Sequence, residues 1–187
     1  EKNNLTKELQ KKIEIGIVIN QDTSEKPANV IYLAVGSNLG NRIIQIEKAK
    51  YLLLENNIRF ISVSSYYETP SWPNPKNPKF INIVLKVACT YNSIELLRLC
   101  KSIEVKLGRK KTPKNAPREC DIDIIDFKGL VLSDKLNLPH KMMHKRNFVL
   151  FPLFEIEKCW VHPILKTNIK NLILSLSNNE IRSIKQI

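Results

Sequence analysis

The chain has 187 residues, a length typical of one domain with short extensions. Its formal net charge of +12, from 30 basic and 18 acidic residues, predicts a polyanionic partner, unless the charge serves solubility alone. That partner is a nucleic acid, an anionic membrane or a phosphorylated small molecule. No apolar run reaches the roughly 18–20 residues of a membrane span. The four cysteines form no CxxC pair, which favours a reducing cytoplasm over a zinc site.

The N-terminal segment differs in pattern from the rest of the chain. Residues 1–29 combine a polar start, an apolar stretch from Ile13 to Ile19 and a polar stretch with Pro27. This pattern predicts an extension or linker, or the remnant of a preceding module. We expect residues 30–177 to form the folded domain and residues 178–187 to form a C-terminal tail or linker.

Six segments predict the core of that domain from their apolar periodicity. They are a strand over 30–35, a helix capped by Asn41, a strand over 59–67, a strand over 80–88, a helix capped by Ser93 and a strand over 120–127. The order β-α-β-β-α-β predicts an α+β fold with a ferredoxin-like core, in which helices pack on one face of an antiparallel sheet. C-terminal additions follow: an apolar segment over 148–156 and an amphipathic helix from Ile169 to Leu176.

The last predicted core strand carries two acidic residues, Asp121 and Asp123. Residues two apart on a strand share a face, with Cα atoms about 6.6 Å apart. Two carboxylates that close repel each other unless a cation lies between them, and Mg²⁺ is the cation that this oxygen donor set suits. A solvated strand face with two acids explains the pair equally well when it is considered alone.

A cationic loop precedes this strand. Residues 106–118 hold six basic residues and no acid: Lys106, Arg109, Lys110, Lys111, Lys114 and Arg118. A cationic loop beside a metal-binding acidic pair is what triphosphate chemistry requires, because the charge on the transferring group must be offset. Solvated surface is the alternative for individual lysines. A second basic cluster surrounds His140, which either donates to a phosphate or packs structurally.

Four prolines between positions 69 and 79 predict a stiff loop, which leads into Phe80 and Asn82 on one face of a strand. An aromatic ring beside an amide suits a flat heterocycle, which the ring stacks on and the amide hydrogen-bonds at its edge. Packing of Phe80 under the proline loop is the alternative.

Together these motifs resemble the 6-hydroxymethyl-7,8-dihydropterin pyrophosphokinase family of folate synthesis. The central signature is KNAPRECDIDII at 114–125. Further matching pieces are GSNLG at 36–40, YETP at 67–70, FIN at 80–82, GR at 108–109, LPH at 138–140 and RNFVL at 146–150.

The resemblance implies an enzyme that transfers diphosphate from ATP to the pterin hydroxymethyl group and releases AMP. It implies catalytic roles for Arg109, Arg118, Asp121 and Asp123, with two Mg²⁺ ions held by the two aspartates. The pterin-binding residues that it implies are Thr69, Pro70, Trp72, Phe80, Asn82 and Phe148. The nucleotide-binding residues that it implies are Glu104, Lys111, Lys114, Arg118, Ile124, Lys135, Asn137, His140 and Arg146.

The implied partners are ATP and the pterin, with no nucleic acid and no membrane, and covalent fusion to neighbouring folate enzymes is an open expectation. Two rival functions remain at this point. A basic nucleic-acid-binding domain shares the βαββαβ order, but its third strand would carry several stacking aromatics, whereas the segment over 80–88 has one. A metal-dependent nucleotidyl transferase would release pyrophosphate instead of AMP.

Overall fold

The structure, a computed structural model, describes residues 29–72, 74–110, 113 and 115–187. The expected N-terminal extension up to residue 28 lies outside the described residues, as do Lys111 and Lys114. The secondary-structure elements are β1 (Asn29–Ser37), α1 (Arg42–Glu55), β2 (Arg59–Val63), β3 (Tyr67–Thr69), β4 (Phe80–Cys89), α2 (Ser93–Lys106), β5 (Asp121–Phe127), β6 (Leu132–Ser133), β7 (Asn137–Leu138), a 3-10 turn (Met143–Lys145), α3 (Asn147–Ile156), α4 (Ile169–Leu174), α5 (Asn178–Ser183) and β8 (Lys185–Gln186).

The main sheet has the strand order β5-β1-β4-β3-β8, and β2 also pairs with β4. Every one of these pairings is antiparallel. The prediction of an α+β fold with an antiparallel sheet is confirmed. The strand predicted over 59–67 is divided into β2 and β3, because the Ser64 side chain replaces a backbone partner and accepts a hydrogen bond from the Val84 N–H.

The two core helices, α1 and α2, pack on one face of the sheet, as expected, and the opposite face is covered by α3, one of the C-terminal additions. The first face packs Ile31, Leu33 and Val35 of β1 against α1 and α2. The alternate residues of the same strands point the other way, so a second apolar face also needs a cover. Leu150 and Leu153 of α3 supply it. The apolar segment over 148–156 is this helix.

Two helix starts show how local sequence sets the element boundaries. Asn41 caps α1, as predicted, by accepting a hydrogen bond from the Ile44 N–H at 3.2 Å. Asn92, and not Ser93, caps α2, and it forms a capping box with Glu95. Residues 178–187, expected as a tail or linker, form α5 and β8.

Candidate active site

The candidate site lies on the same face of the sheet as α3. It occupies the end of the strands, which α3 does not cover. A cavity of about 530 Å³ opens there. The floor of the cavity is the central strand β1, where Gly36 lies between Asn82 of β4 and Asp121 of β5, and Ala34 lies beside Asp123. Small side chains on the central strand therefore leave room between the two flanking strands. Ala34 and Gly36 carry no local sequence signal that predicts a place in the site.

Asp121 faces two guanidinium groups. Its Oδ1 lies 2.7 Å from Arg109 Nη1 and 3.4 Å from Arg118 Nη1. Arg109 Nη1 also lies 2.6 Å from Oε2 of Glu104, a carboxylate that is 1% exposed. Although burial of the guanidinium acts in the opposite direction, the two carboxylates raise the pKa of Arg109. Arg109 is therefore fixed between a buried acid and the acidic pair.

Glu104 lies beneath the cavity and is not among the residues that line it. Its Oε1 accepts hydrogen bonds from Lys101 Nζ at 2.8 Å and from the backbone N–H of Ile122 at 2.7 Å. The Ile122 bond holds the strand that carries Asp121 and Asp123. Glu104 thus orients Arg109 and the acidic strand, and its side chain is too deeply buried to form part of the cavity wall.

Asp123 faces a second pair of cationic or ionisable groups. Its Oδ2 lies 3.8 Å from His140 Nε2 and 3.7 Å from Arg146 Nη1. Burial lowers the pKa of His140 and the pKa of Arg146, and it outweighs the opposite effect of Asp123, which favours the charged form of each group. Nδ1 of His140 accepts a hydrogen bond from the Met142 N–H at 3.3 Å, and Nε2 lies 3.4 Å from Arg146 Nη1 and faces Asp123.

The donor set suits a hard divalent cation. Asp121 and Asp123 share one strand face on the cavity wall, and Mg²⁺ is commonly held by one or two carboxylates together with water and substrate phosphates. Among the described residues, no group of three or more His, Cys, Asp and Glu side chains is placed to hold a metal. The fit therefore rests on two carboxylates with substrate oxygens completing the shell.

The other half of the cavity is aromatic and apolar. The lining residues here are Thr69, Pro70, Trp72, Phe80, Asn82 and Phe148. Arg118 lies over the Phe80 ring at 5.8 Å and Arg146 over the Phe148 ring at 5.5 Å, so each ring borders the cationic half. Within the described part of the chain, the buried Asn82 Nδ2 and Thr69 Oγ1 have no hydrogen-bond partner. Such buried groups are costly unless a ligand satisfies them.

Asn38 joins the two loops beside the cavity, a role that was not predicted from the sequence. Its Nδ2 donates to Ser71 Oγ at 3.2 Å and to the Pro78 carbonyl at 3.1 Å, both in the proline loop. Its Oδ1 accepts from the Arg118 N–H at 2.8 Å, at the end of the basic loop. The sequence signal available for Asn38 was its position in the motif at 36–40, where a polar residue directly follows a buried strand.

The cavity brings together most of the residues predicted for the site. Those that line it are Thr69, Pro70, Trp72, Phe80, Asn82, Arg109, Arg118, Asp121, Asp123, His140, Arg146 and Phe148. Ile124 is different, because strand alternation turns its side chain away from the acids and into the core below α1 and α2. Lys135 and Asn137 are exposed and are not among the lining residues of this cavity.

None of the helices in the described part of the chain has the length and apolar character of a membrane span.

The fold and the site define an α+β domain that presents a carboxylate pair and several cations to a substrate-sized cavity, the arrangement of phosphate-handling enzymes. Comparison with known proteins makes the assignment specific. The chain belongs to the 7,8-dihydro-6-hydroxymethylpterin-pyrophosphokinase (HPPK) family, whose model matches residues 32–158. The resemblance seen in the sequence is confirmed.

Individual relatives agree with this assignment. The chain is similar to a 2-amino-4-hydroxy-6-hydroxymethyldihydropteridine pyrophosphokinase of Aquifex aeolicus, with 40% identity over 141 residues, covering 75% of this chain and 88% of that protein. It is 36% identical over 160 residues to the folic acid synthesis protein FOL1 of Dictyostelium discoideum, covering 85% of this chain and 24% of that protein. The chain therefore spans about a quarter of the length of that relative.

A solved structure shows the same fold. The crystal structure of wild-type Plasmodium falciparum HPPK-DHPS matches with a TM-score of 0.65 at 15% identity, covering 88% of this chain and 49% of that one.

Proposed function

We propose that this domain transfers diphosphate from ATP to the hydroxymethyl group of 6-hydroxymethyl-7,8-dihydropterin and releases AMP, as a step of folate biosynthesis. One observation carries the proposal. A carboxylate pair faced by cationic side chains opens into the same cavity as an aromatic pocket in which Asn82 Nδ2 and Thr69 Oγ1 have no partner among the residues that the structure describes. A nucleotide triphosphate and a flat heterocycle can therefore meet there, each beside groups of matching chemistry.

The aromatic half of the cavity takes the pterin in this proposal. Phe80 and Phe148 provide ring faces for stacking, and each is bordered by a cation. Asn82 and Thr69 supply the donor and acceptor groups that read the edge of the heterocycle, since their buried polar atoms lack partners among the described residues. Pro70 and Trp72 close the side of the pocket.

The cationic half takes the triphosphate. Arg109, Arg118, His140 and Arg146 surround the acidic pair and would donate to phosphate oxygens. Asp121 and Asp123 would hold Mg²⁺, which when bound neutralises phosphate charge and polarises the phosphorus–oxygen bonds. Glu104 contributes indirectly by orienting Arg109. Lys111 and Lys114 remain predicted phosphate contacts.

In the proposed reaction, the hydroxymethyl oxygen forms a bond to the β-phosphorus of ATP. The bond from that phosphorus to the oxygen shared with the α-phosphate breaks, the hydroxyl proton is released, and AMP leaves. The cavity residues contribute positioning of the two substrates and fixed positive charge. Arg118 is well placed for both tasks, because Asn38 holds its backbone and its guanidinium lies between Phe80 and Asp121.

The direct test is incubation with ATP, Mg²⁺ and the hydroxymethyl pterin, with chromatographic detection of AMP. We expect AMP to appear only when all three are present, and Asp121→Ala to abolish it. AMP formation that persists without the pterin, or a fully active Asp121→Ala variant, would overturn the assignment. Release of pyrophosphate would favour a nucleotidyl transferase.

Three further assignments accompany the function. The core is of the ferredoxin-like type, which the order β5-β1-β4-β2 of its antiparallel strands supports. The catalytic domain has its core over 30–177, to which residues 178–187 are joined through β8, and residues 1–29 are an extension, a linker or the remnant of a preceding module. The compartment is the cytoplasm, which the four free cysteines support.

A further inference from the structure

The C-terminal segment, residues 178–187, lies beyond the part of the chain that the family model matches, yet it is joined to the sheet. Strand β8 pairs with β3, where Gln186 lies opposite Tyr67 and Lys185 lies opposite Glu68. The Ile187 N–H donates to the Tyr66 carbonyl at 3.0 Å. These bonds complete the outer edge of β3, a strand of three residues that ends at Thr69.

The same segment is attached to the start of α3 through Asn147, a residue that is 8% exposed. Asn147 Nδ2 donates to the Glu180 carbonyl at 2.6 Å and to Ser183 Oγ at 3.1 Å, both in α5. Its Oδ1 accepts from the N–H of Phe148 at 2.7 Å. One amide side chain thus links the C-terminal segment to the residue that carries an aromatic wall of the candidate pterin pocket.

A second cavity, of about 400 Å³, shows what the segment encloses. Glu180 and Ser183 form one wall of it. The opposite walls are residues that also line the first cavity: Thr69, Pro70, Trp72, Arg146 and Phe148. The segment therefore forms the outer boundary of the pterin side of the site. Residues 178–187 border only the second cavity, and none of them lines the first cavity in either half.

We propose that residues 178–187 are a positioning element for the pterin half of the site. Through β8 they hold the strand that ends at Thr69, and through Asn147 they hold Phe148. This inference rests on the proposed function for the identity of the ligand. Loss of the segment should weaken pterin binding more than ATP binding, because Asp121, Asp123, Arg109 and Arg118 of the triphosphate half lie on β5 and the basic loop, and of that half only Arg146 adjoins Asn147.

The primary variant is Asn147→Asp in the full chain. Aspartate keeps the acceptor for the Phe148 N–H but lacks the two donors to α5. Asn168→Asp is the matched control, because Asn168 also begins a helix by accepting a backbone N–H, from Asn171 at 2.9 Å, and does not line either cavity. A third variant lacks residues 178–187 altogether.

Pterin affinity is measured by calorimetry in the presence of a non-hydrolysable ATP analogue, and analogue affinity is measured separately. Loss of two hydrogen bonds, each worth about 0.5–1 kcal/mol net, predicts pterin binding weakened about 5- to 30-fold in Asn147→Asp, with analogue affinity changed less and the control like the unaltered protein. The truncated chain should lose at least as much pterin affinity. Unchanged pterin affinity in both variants, or an equal loss of affinity for both ligands, would overturn the inference.

Amide hydrogen exchange separates this inference from the proposed function. Faster exchange at 67–69 and 147–149 in Asn147→Asp, absent from the control, supports positioning whether or not the protein binds pterin. Exchange identical to that of the unaltered protein contradicts it. Absence of both AMP formation and pterin binding in the unaltered protein would instead refute the proposed function.

Discussion

A methyl group at Gly36 should weaken pterin binding through Asn82. Gly36 lies on β1 directly opposite Asn82, and a Cβ added there would collide with Asn82 Oδ1 and lie 3.5 Å from Phe80 Cδ1. The backbone at Gly36 is not left-handed, so alanine itself is tolerated by the strand. The steric conflict therefore falls on the Asn82 side chain, which must turn away from its position in the cavity.

The expected magnitude follows from the hydrogen bonds that Asn82 would lose. Its amide offers one donor and one acceptor to the edge of the heterocycle, each worth about 1 kcal/mol net. A loss of about 2 kcal/mol corresponds to pterin affinity about 30-fold lower in Gly36→Ala. Calorimetric titration with the pterin, in the presence of a non-hydrolysable ATP analogue, measures this change.

Gly40→Ala serves as the control. Gly40 has a φ of 66°, and a Cβ added there would have no atom within 4 Å, so alanine strains the backbone without touching the site. It should lower the free energy of unfolding by about 1 kcal/mol and leave pterin affinity intact. Gly36→Ala should also have little further effect in an Asn82→Ala background. Normal pterin binding in Gly36→Ala, or an undiminished penalty in the double variant, would refute the reasoning.

Three other perturbations test separate parts of the account. Glu104→Gln keeps the acceptor for the Ile122 N–H but removes the buried charge that holds Arg109. The free energy of unfolding in urea should therefore fall by about 1–3 kcal/mol, and kcat should fall more than pterin affinity. Asp123→Asn should weaken Mg²⁺ binding in calorimetry with the ATP analogue and should leave pterin stacking on Phe80 and Phe148 intact. The third concerns pH. Burial, reinforced by His144, lowers the pKa of His162 in the folded protein. As the pH falls, His162 therefore takes up its proton at a higher pH in the unfolded chain than in the folded chain, and stability should fall below about pH 6.5. His162→Asn, which retains an acceptor for the Ile164 N–H, should reduce that slope between about pH 7.5 and 5.5 in urea denaturation.

Much of the core could be predicted from local periodicity. The alternation of apolar residues located β1, β4 and β5, and helical spacing located α1 and α2. The same alternation placed Asp121 with Asp123, and Phe80 with Asn82, on shared faces, and the cavity contains all four. These features depend on residues within a few positions of one another, which is the information that a single sequence carries.

The features that escaped prediction depend on pairing between distant segments. The position of Gly36 between Asn82 and Asp121 is a matter of strand register across three strands. The contacts of Asn38 join loops that are 33 to 80 residues away in sequence. Pairing of β8 with β3, and the cover that α3 provides for the second sheet face, likewise have no local signature.

The fate of the phosphates of ATP tests the central claim most directly. With Mg²⁺ and the hydroxymethyl pterin present, phosphorus NMR should show the β- and γ-phosphates of ATP transferred together to the pterin as a diphosphate ester. The α-phosphate should remain in AMP. Formation of ADP with a pterin monophosphate, or of free pyrophosphate with a nucleotidylated product, would contradict the account.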